Sequence, residues 1–446
     1  MIIRQSRYRR SPCLCASVAS LALVASAVGG PSDPADERDR LPERSISAAQ
    51  SLIDKASAGD TVVLPKAIYR IGGLRHRGVG LTVDKPIVLD GSGSIVRGAG
   101  FDEDSRSLSG RSVLVAIGAS GATLRNLVIE QAPHHALGVS GEENVVEEVV
   151  VRDCWRTCVV LVGDRNVFRF VEVHNSRHGS GLGLGPHDDD GPEGNLIERS
   201  VFHDNGYLPD GTPVAGIPGD RTKDGTGGAN SDGTGASKGC SDKRPSNVCL
   251  GNRWVRNIAY RNRDDGFDVS VGEGTEFVGN IAFDNGPHGR RGFKMLRTGR
   301  ADFLGNVVAG GAHERPIEYR GPAGTTGRLF HNTVIQWTGG VAIEVAKGDV
   351  DARGNYEDRA GAGLRDPAFS PPLWRYDYPA ATVHERWGSL YEAFRQALSP
   401  APGSPLVDAG EVIPGYHCPA AGPGDGSCVR WQGRAPDLGA FESGSR

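Results

Sequence analysis

Asp264, Asp265 and Asp268 fall within five residues, in the segment Arg263-Asp264-Asp265-Gly266-Phe267-Asp268. A second segment, Arg291-Gly292-Phe293-Lys294, repeats its Gly-Phe centre. Aligned on Gly-Phe, the two put Lys294 where the first has Asp268. A third segment, Asn230-Ser231-Asp232-Gly233, aligns with Asp264-Asp265-Gly266 and sets Asp232 beside Asp265. Converging carboxylates raise one another's pKa unless a cation neutralises them. Carboxylate oxygens suit Ca²⁺, and a lysine beside a bound cation can lose its proton and serve as a base. Ca²⁺ and lysine together are suited to removing a proton from the carbon next to a carboxylate. Taken singly, Asp-Asp-Gly and Ser-Asp-Gly are ordinary turn sequences, and Lys294 could be a salt-bridge partner of Asp268. The convergence of all five is what favours a metal site.

Such a convergence requires a scaffold that brings successive segments into register. Asn257-Ile-Ala-Tyr, Asn280-Ile-Ala-Phe, Asn306-Val-Val-Ala and Asn332-Thr-Val-Ile recur every 23 to 26 residues, and Asn126-Leu-Val-Ile is an earlier copy. Each is followed by a polar turn and a second short apolar stretch, such as Ala136–Val139, Phe293–Leu296 or Ile317–Tyr319. This period, with short strands and no long helical pattern, predicts a solenoid whose stacked coils bury a continuous core. A parallel β-helix with coils about 4.8 Å apart is the natural form; a β-propeller needs units of about 40–50 residues and fits poorly. The Asn residues are expected at turns with left-handed backbone. Ser47-x-x-Gln50 resembles a capping box ahead of a short helix that closes the first coil, and Trp387–Leu398 is a second helical segment. The expected organisation is a signal peptide (1–27), a flexible lead (28–44), the β-helix (45–365) with an inserted loop (206–250), and a C-terminal capping segment (366–446).

Glycine, 64 of 446 residues, is roughly twice as frequent as usual, which fits many tight turns. A net charge of −4 argues against a dedicated nucleic-acid binder. Arg4, Arg7, Arg9 and Arg10 precede the apolar stretch Leu14–Val24 and the small residues Ala25-Ser26-Ala27, the pattern of a cleaved export signal. That stretch is too short for a membrane anchor, so a secreted monomer is expected. Six cysteines remain after cleavage, at 154, 158, 240, 249, 418 and 428, an even count that favours disulfides in an exported chain.

Asn-x-Asp-Gly, Asp-Asp-Gly-Phe-Asp and Gly-Phe-Lys on such a scaffold resemble polysaccharide lyase family 9, the pectate lyases, over about residues 120–350. With the helical segment before the first coil, the expected fold is an all-β, right-handed parallel β-helix (solenoid) with a short N-terminal capping helix and an irregular C-terminal tail, a scaffold the resemblance also implies. The resemblance implies Ca²⁺ ligands at Asp232, Asp264, Asp265 and Asp268, Lys294 as base, and β-elimination of a polygalacturonate-like acidic polysaccharide. Thr234 departs from the pattern, where an aromatic residue is expected, and so does the 206–250 insertion with Cys240 and Cys249.

Lys223, Lys238, Arg290, Arg291, Arg297 and Arg320 are candidates for binding further uronate groups, with Lys238 and Arg297 preferred for their places in the active coils. His187-Asp188-Asp189-Asp190 and His134-His135 read as turns. Two other functions stay open. One is a galacturonan hydrolase, faintly suggested by Asp232, Asp264, Asp265 and Gly286-Pro287-His288-Gly289, with Asp residues as acid and base and no metal. The other is a non-catalytic β-helix that binds acidic glycans.

Overall fold

The computed structural model describes residues 40–443 except 73, 75–77, 101–111, 186–190, 215–230, 236–248, 270–271, 287–290, 297–298, 311–314, 322, 339, 368–381, 415, 418–430 and 432–433. The export signal, Lys223, Lys238, Arg290, Arg297, the His187 segment and Cys240, Cys418 and Cys428 all lie outside the described residues.

Short β-branched and aromatic strands alternate with tight turns, and every strand pairs in parallel with its equivalent in the next coil. The result is a right-handed parallel β-helix, the hand that parallel crossovers adopt. One wall is a sheet of ten strands running from Val79–Val83 to Ile343–Lys347. Its later strands carry the residues of interest: β1 (Leu182–Leu184), β2 (Thr234–Gly235), β3 (Phe267–Val269), β4 (Phe293–Leu296), β5 (Ile317–Arg320) and β6 (Ile343–Lys347). The remaining coil segments form a second, larger sheet. In its early coils these are unbroken ten-residue strands, such as Val145–Cys154, and later they divide at turns into pairs such as Leu196–Glu198 and Val201–His203.

Identical positions stack inside the solenoid. Phe267 and Phe293 are parallel with ring centroids 4.7 Å apart, and Trp254, Phe277 and Phe303 form a second stack at 5.2 and 5.1 Å. Thr234 fits this interior because its hydroxyl accepts the buried Trp254 indole N–H at 3.2 Å.

The marker asparagines behave differently from expectation. Asn126 does have left-handed backbone, but at the later repeats the positive φ belongs to the residue before, at Arg256, Gly279, Gly305 and His331. Asn257, Asn280, Asn306 and Asn332 are instead buried, and each side-chain amide donates to the next carbonyl oxygen at 3.0–3.1 Å, ending at Asn355. A ladder of this kind satisfies polar groups at the bend that the solenoid would otherwise bury unpaired.

The first helix, α1 (Ile46–Lys55), buries Ala49 and Ile53 over the first coils. Its N-cap is Ser45, not Ser47, and Gln50 accepts from the Thr82 backbone N–H instead of closing a capping box. The second helix, α2 (Val383–Leu398), does have a capping box, from Thr382 and Glu385. It lies along the outer wall: Val383 N–H reaches Glu148, Trp387 reaches Arg256 O, and Phe394 packs on Phe283. Cys154 and Cys158 form a disulfide, and Cys249 is also disulfide-bonded. Among the described residues no helix is long and apolar enough to cross a membrane.

Candidate metal and proton-transfer site

The register of β2, β3, β4 and β5 determines which side chains meet. Gly235, Asp268, Lys294 and Glu318 pair in succession across adjacent coils. Gly235 adds no side chain to this row, and a Cβ there would come within 2.0 Å of the Asp268 carbonyl oxygen. Two residues ahead of the strands, the same register stacks Asp232, Asp265, Arg291 and Arg315.

Carboxylate oxygens of Asp232, Asp265 and Asp268 lie within 4.8 Å of one another, and all three residues are buried. Asp264 is adjacent in the turn and also buried, but it is not in that set of three. Asp232 Oδ2 accepts from Ser180 Oγ at 3.0 Å, and its Oδ1 accepts from the Asp265 backbone N–H at 3.2 Å. Asp265 Oδ1 accepts from the Arg291 backbone N–H at 2.8 Å. Lys294 Nζ donates to Asp268 Oδ2 at 2.7 Å and lies 3.3 Å from Asp265 Oδ2. That Asp265 oxygen is buried yet accepts no hydrogen bond.

Burial, reinforced by the charges of Asp264, Asp268 and Asp265, pushes the Asp232 carboxyl well above the usual carboxylate range. Burial works against the Lys294 ammonium, but the facing carboxylates of Asp265, Asp268 and Asp232 outweigh it and lift the lysine above its ordinary value. Without a cation, then, the cluster favours the protonated Lys294 and disfavours ionisation of Asp232. The donor set fits a hard divalent cation: all oxygen, closely spaced and over-negative, with Asp265 Oδ2 facing the Lys294 ammonium but accepting no hydrogen bond. Asp232, Asp265 and Asp268 would hold it, with Asp264 beside Asp265 in the same turn.

Sequence reading missed Ser180, Arg315 and Glu318. Glu318 is fully buried and ion-paired to Arg291, to Arg320 at 2.5 Å and to Arg315 at 3.4 Å. Aligning Ile317-Glu318-Tyr319 with Phe293-Lys294-Met295 would have found it. A second buried charged cluster was also missed. It comprises Glu172, His174, His203 and Asp204, covered by Arg386 of α2.

No protein-family model and no curated protein matches the chain. Among solved structures it is similar to pectate lyase Pel9A, with a TM-score of 0.52 and 19% identity over 88% of this chain and 90% of that one. An alginate lyase from Paenibacillus sp. str. FPU-7 aligns with a TM-score of 0.45 and 13% identity, over 71% and 98%. The A-module of the Azotobacter vinelandii mannuronan C-5 epimerase AlgE4 gives 0.42 and 13%, over 69% and 95%. At these identities the likeness to the pectate lyase is one of fold, the parallel β-helix already evident in the strand pairing.

Proposed function

We propose that the protein is a secreted, monomeric, Ca²⁺-dependent polysaccharide lyase that cleaves a polygalacturonate-like uronan by β-elimination. The observation that carries this reading is the meeting of Lys294 with Asp232, Asp265 and Asp268 on an outer wall, where Lys294 keeps part of its side chain in solvent. The fold shared with a pectate lyase agrees with it.

Bound at the aspartates, Ca²⁺ would neutralise the carboxylate of a uronate unit and so acidify the proton on the adjacent C5. By holding the cation, the three aspartates would set where that carboxylate lies relative to Lys294. Lys294 Nζ, once deprotonated, takes the C5 proton. The C–H electron pair becomes the C4–C5 double bond, and the C4–O bond breaks with its electrons going to the leaving sugar oxygen. That oxygen then takes up a proton, leaving a 4,5-unsaturated uronate on the other fragment. Since Lys294 must first lose a proton that the aspartates help to hold, activity is expected to rise into alkaline pH.

The test is incubation with polygalacturonate and CaCl₂ at alkaline pH, following ultraviolet absorbance of the unsaturated product with and without chelator. Growth of absorbance that chelator abolishes supports the lyase. New reducing ends without absorbance would establish a hydrolase instead. Binding without cleavage, retained in Lys294→Ala, would establish a glycan-binding protein.

A further inference from the structure

We infer that Glu318 is a positioning residue that holds the Arg291 guanidinium off the cation site, so that Asp265 stays available to the metal. The inference rests on the metal-site reading above and concerns a residue that never touches the cation.

Arg291 occupies the same row as Asp232 and Asp265, one coil on. Its backbone N–H already donates to Asp265 Oδ1, and its Nη1 lies 3.8 Å from that oxygen. A guanidinium stays charged at any working pH and prefers a two-point contact with a carboxylate. With no other partner, its nearest strong acceptor is the buried Asp265, the same group a divalent cation needs. Glu318 supplies the other partner. It stands next to Lys294 in the adjacent row, is fully buried, and pairs with the Arg291 Nε. Arg320 and Arg315 pair with Glu318 from the solvent side and with Glu344 beyond it. Glu318 is thereby fixed between three guanidinium groups, and Arg291 is drawn along the stack, away from the aspartates.

Neutralising Glu318 removes that pull. Arg291 then closes on Asp265 and competes with the cation for its oxygens. The experiment measures Ca²⁺ affinity by calorimetry on the full-length protein, in the unaltered chain, Glu318→Gln, Arg291→Gln and the double variant. Glu318→Gln is expected to bind Ca²⁺ about tenfold more weakly, a typical size for coupling between adjacent charged groups. The double variant is expected to return to the affinity of Arg291→Gln. Unchanged affinity in Glu318→Gln overturns the inference. So does a double variant as weak as Glu318→Gln, because Glu318 would then act other than through Arg291. If Glu318→Gln alone does not fold, the Arg291→Gln and double variants decide: equal affinities support the inference, and a loss between them overturns it. Absence of Ca²⁺ binding by the unaltered protein overturns the site reading itself, a result distinct from all of these.

Discussion

Two clusters of buried acids and bases sit on the outside of the solenoid, and they are finished in opposite ways. Under α2, every charge has a counterpart. Glu172 is ion-paired to Arg386 and accepts from His203, His203 also pairs with Asp204 at 2.7 Å, and Asp204 pairs with Arg261 at 2.7 Å. His174 stacks on His203, and His203 on Tyr260. At the aspartate cluster, Asp232, Asp264, Asp265 and Asp268 lie together, with Lys294 on Asp265 and Asp268 and Arg291 3.8 Å from Asp265. An ion-paired network of both signs holds a helix to a wall, whereas a cluster dominated by carboxylates favours a cation.

The largest effect that separates the two clusters is on catalysis. Lys294→Ala is expected to lower kcat by roughly a thousandfold, the usual worth of a positioned base, with Ca²⁺ binding retained. Arg386→Ala should leave chemistry in the remaining folded protein intact but cost about 3–5 kcal/mol of stability, because it strands Glu172 as a buried charge. Equal loss of activity at equal retained fold in the two variants would erase the distinction. Denaturant unfolding together with steady-state rates measures both.

Next in size is ligand-linked stability. Ca²⁺ at a hundred times its Kd should stabilise the unaltered protein by about 2.7 kcal/mol and leave Asp265→Asn unmoved. Thermal melts with Ca²⁺ and with chelator read this directly. A Ca²⁺ response lost in a Glu172→Gln variant that still folds would instead place the ion under α2.

The smallest expected difference is in pH dependence, where the two clusters have opposite signs. Asp232 has its pKa raised by burial and by neighbouring carboxylates. Its contribution is therefore present below an unfolded value of about 3.9 and lost as pH rises through the raised folded value. In the metal-free protein, Asp232→Asn should stabilise at pH 8 and change little at pH 4. His174 is pushed down to about 3 by burial and by the facing His203, against the pull of Glu172. Its contribution is present above an unfolded value of about 6.5 and lost as pH falls toward the folded one. His174→Gln should flatten that acid limb. Melting curves across pH with chelator present check both, and slopes of one sign in the two variants would show that the clusters are not electrostatically distinct.

Much of the aspartate–lysine arrangement was legible because it depends on register. Gly-Phe-Asp and Gly-Phe-Lys recur one coil apart, and parallel pairing turns that recurrence into the adjacency of Asp268 and Lys294. Asp232 and Asp265 followed in the same way. The stretch 206–250 was less legible: Thr234-Gly235 returns to the wall inside what reads as one insertion. The asparagines marked the repeat correctly, but turn propensity alone favours left-handed backbone over the side-chain ladder they form. That ladder pays only once coils stack.

The amino-acid sequence by itself determined the solenoid and the rows along its axis, because each coil's neighbour is the next comparable segment and spacing alone sets which side chains align. It did not determine what covers each row. Glu172 and Arg386 are 214 residues apart and meet only because the chain returns along the outer wall after its last coil. Whether a buried carboxylate such as Glu172 is ion-paired depends on that return. Contacts of such long range follow no local period, so only the tertiary structure could decide them.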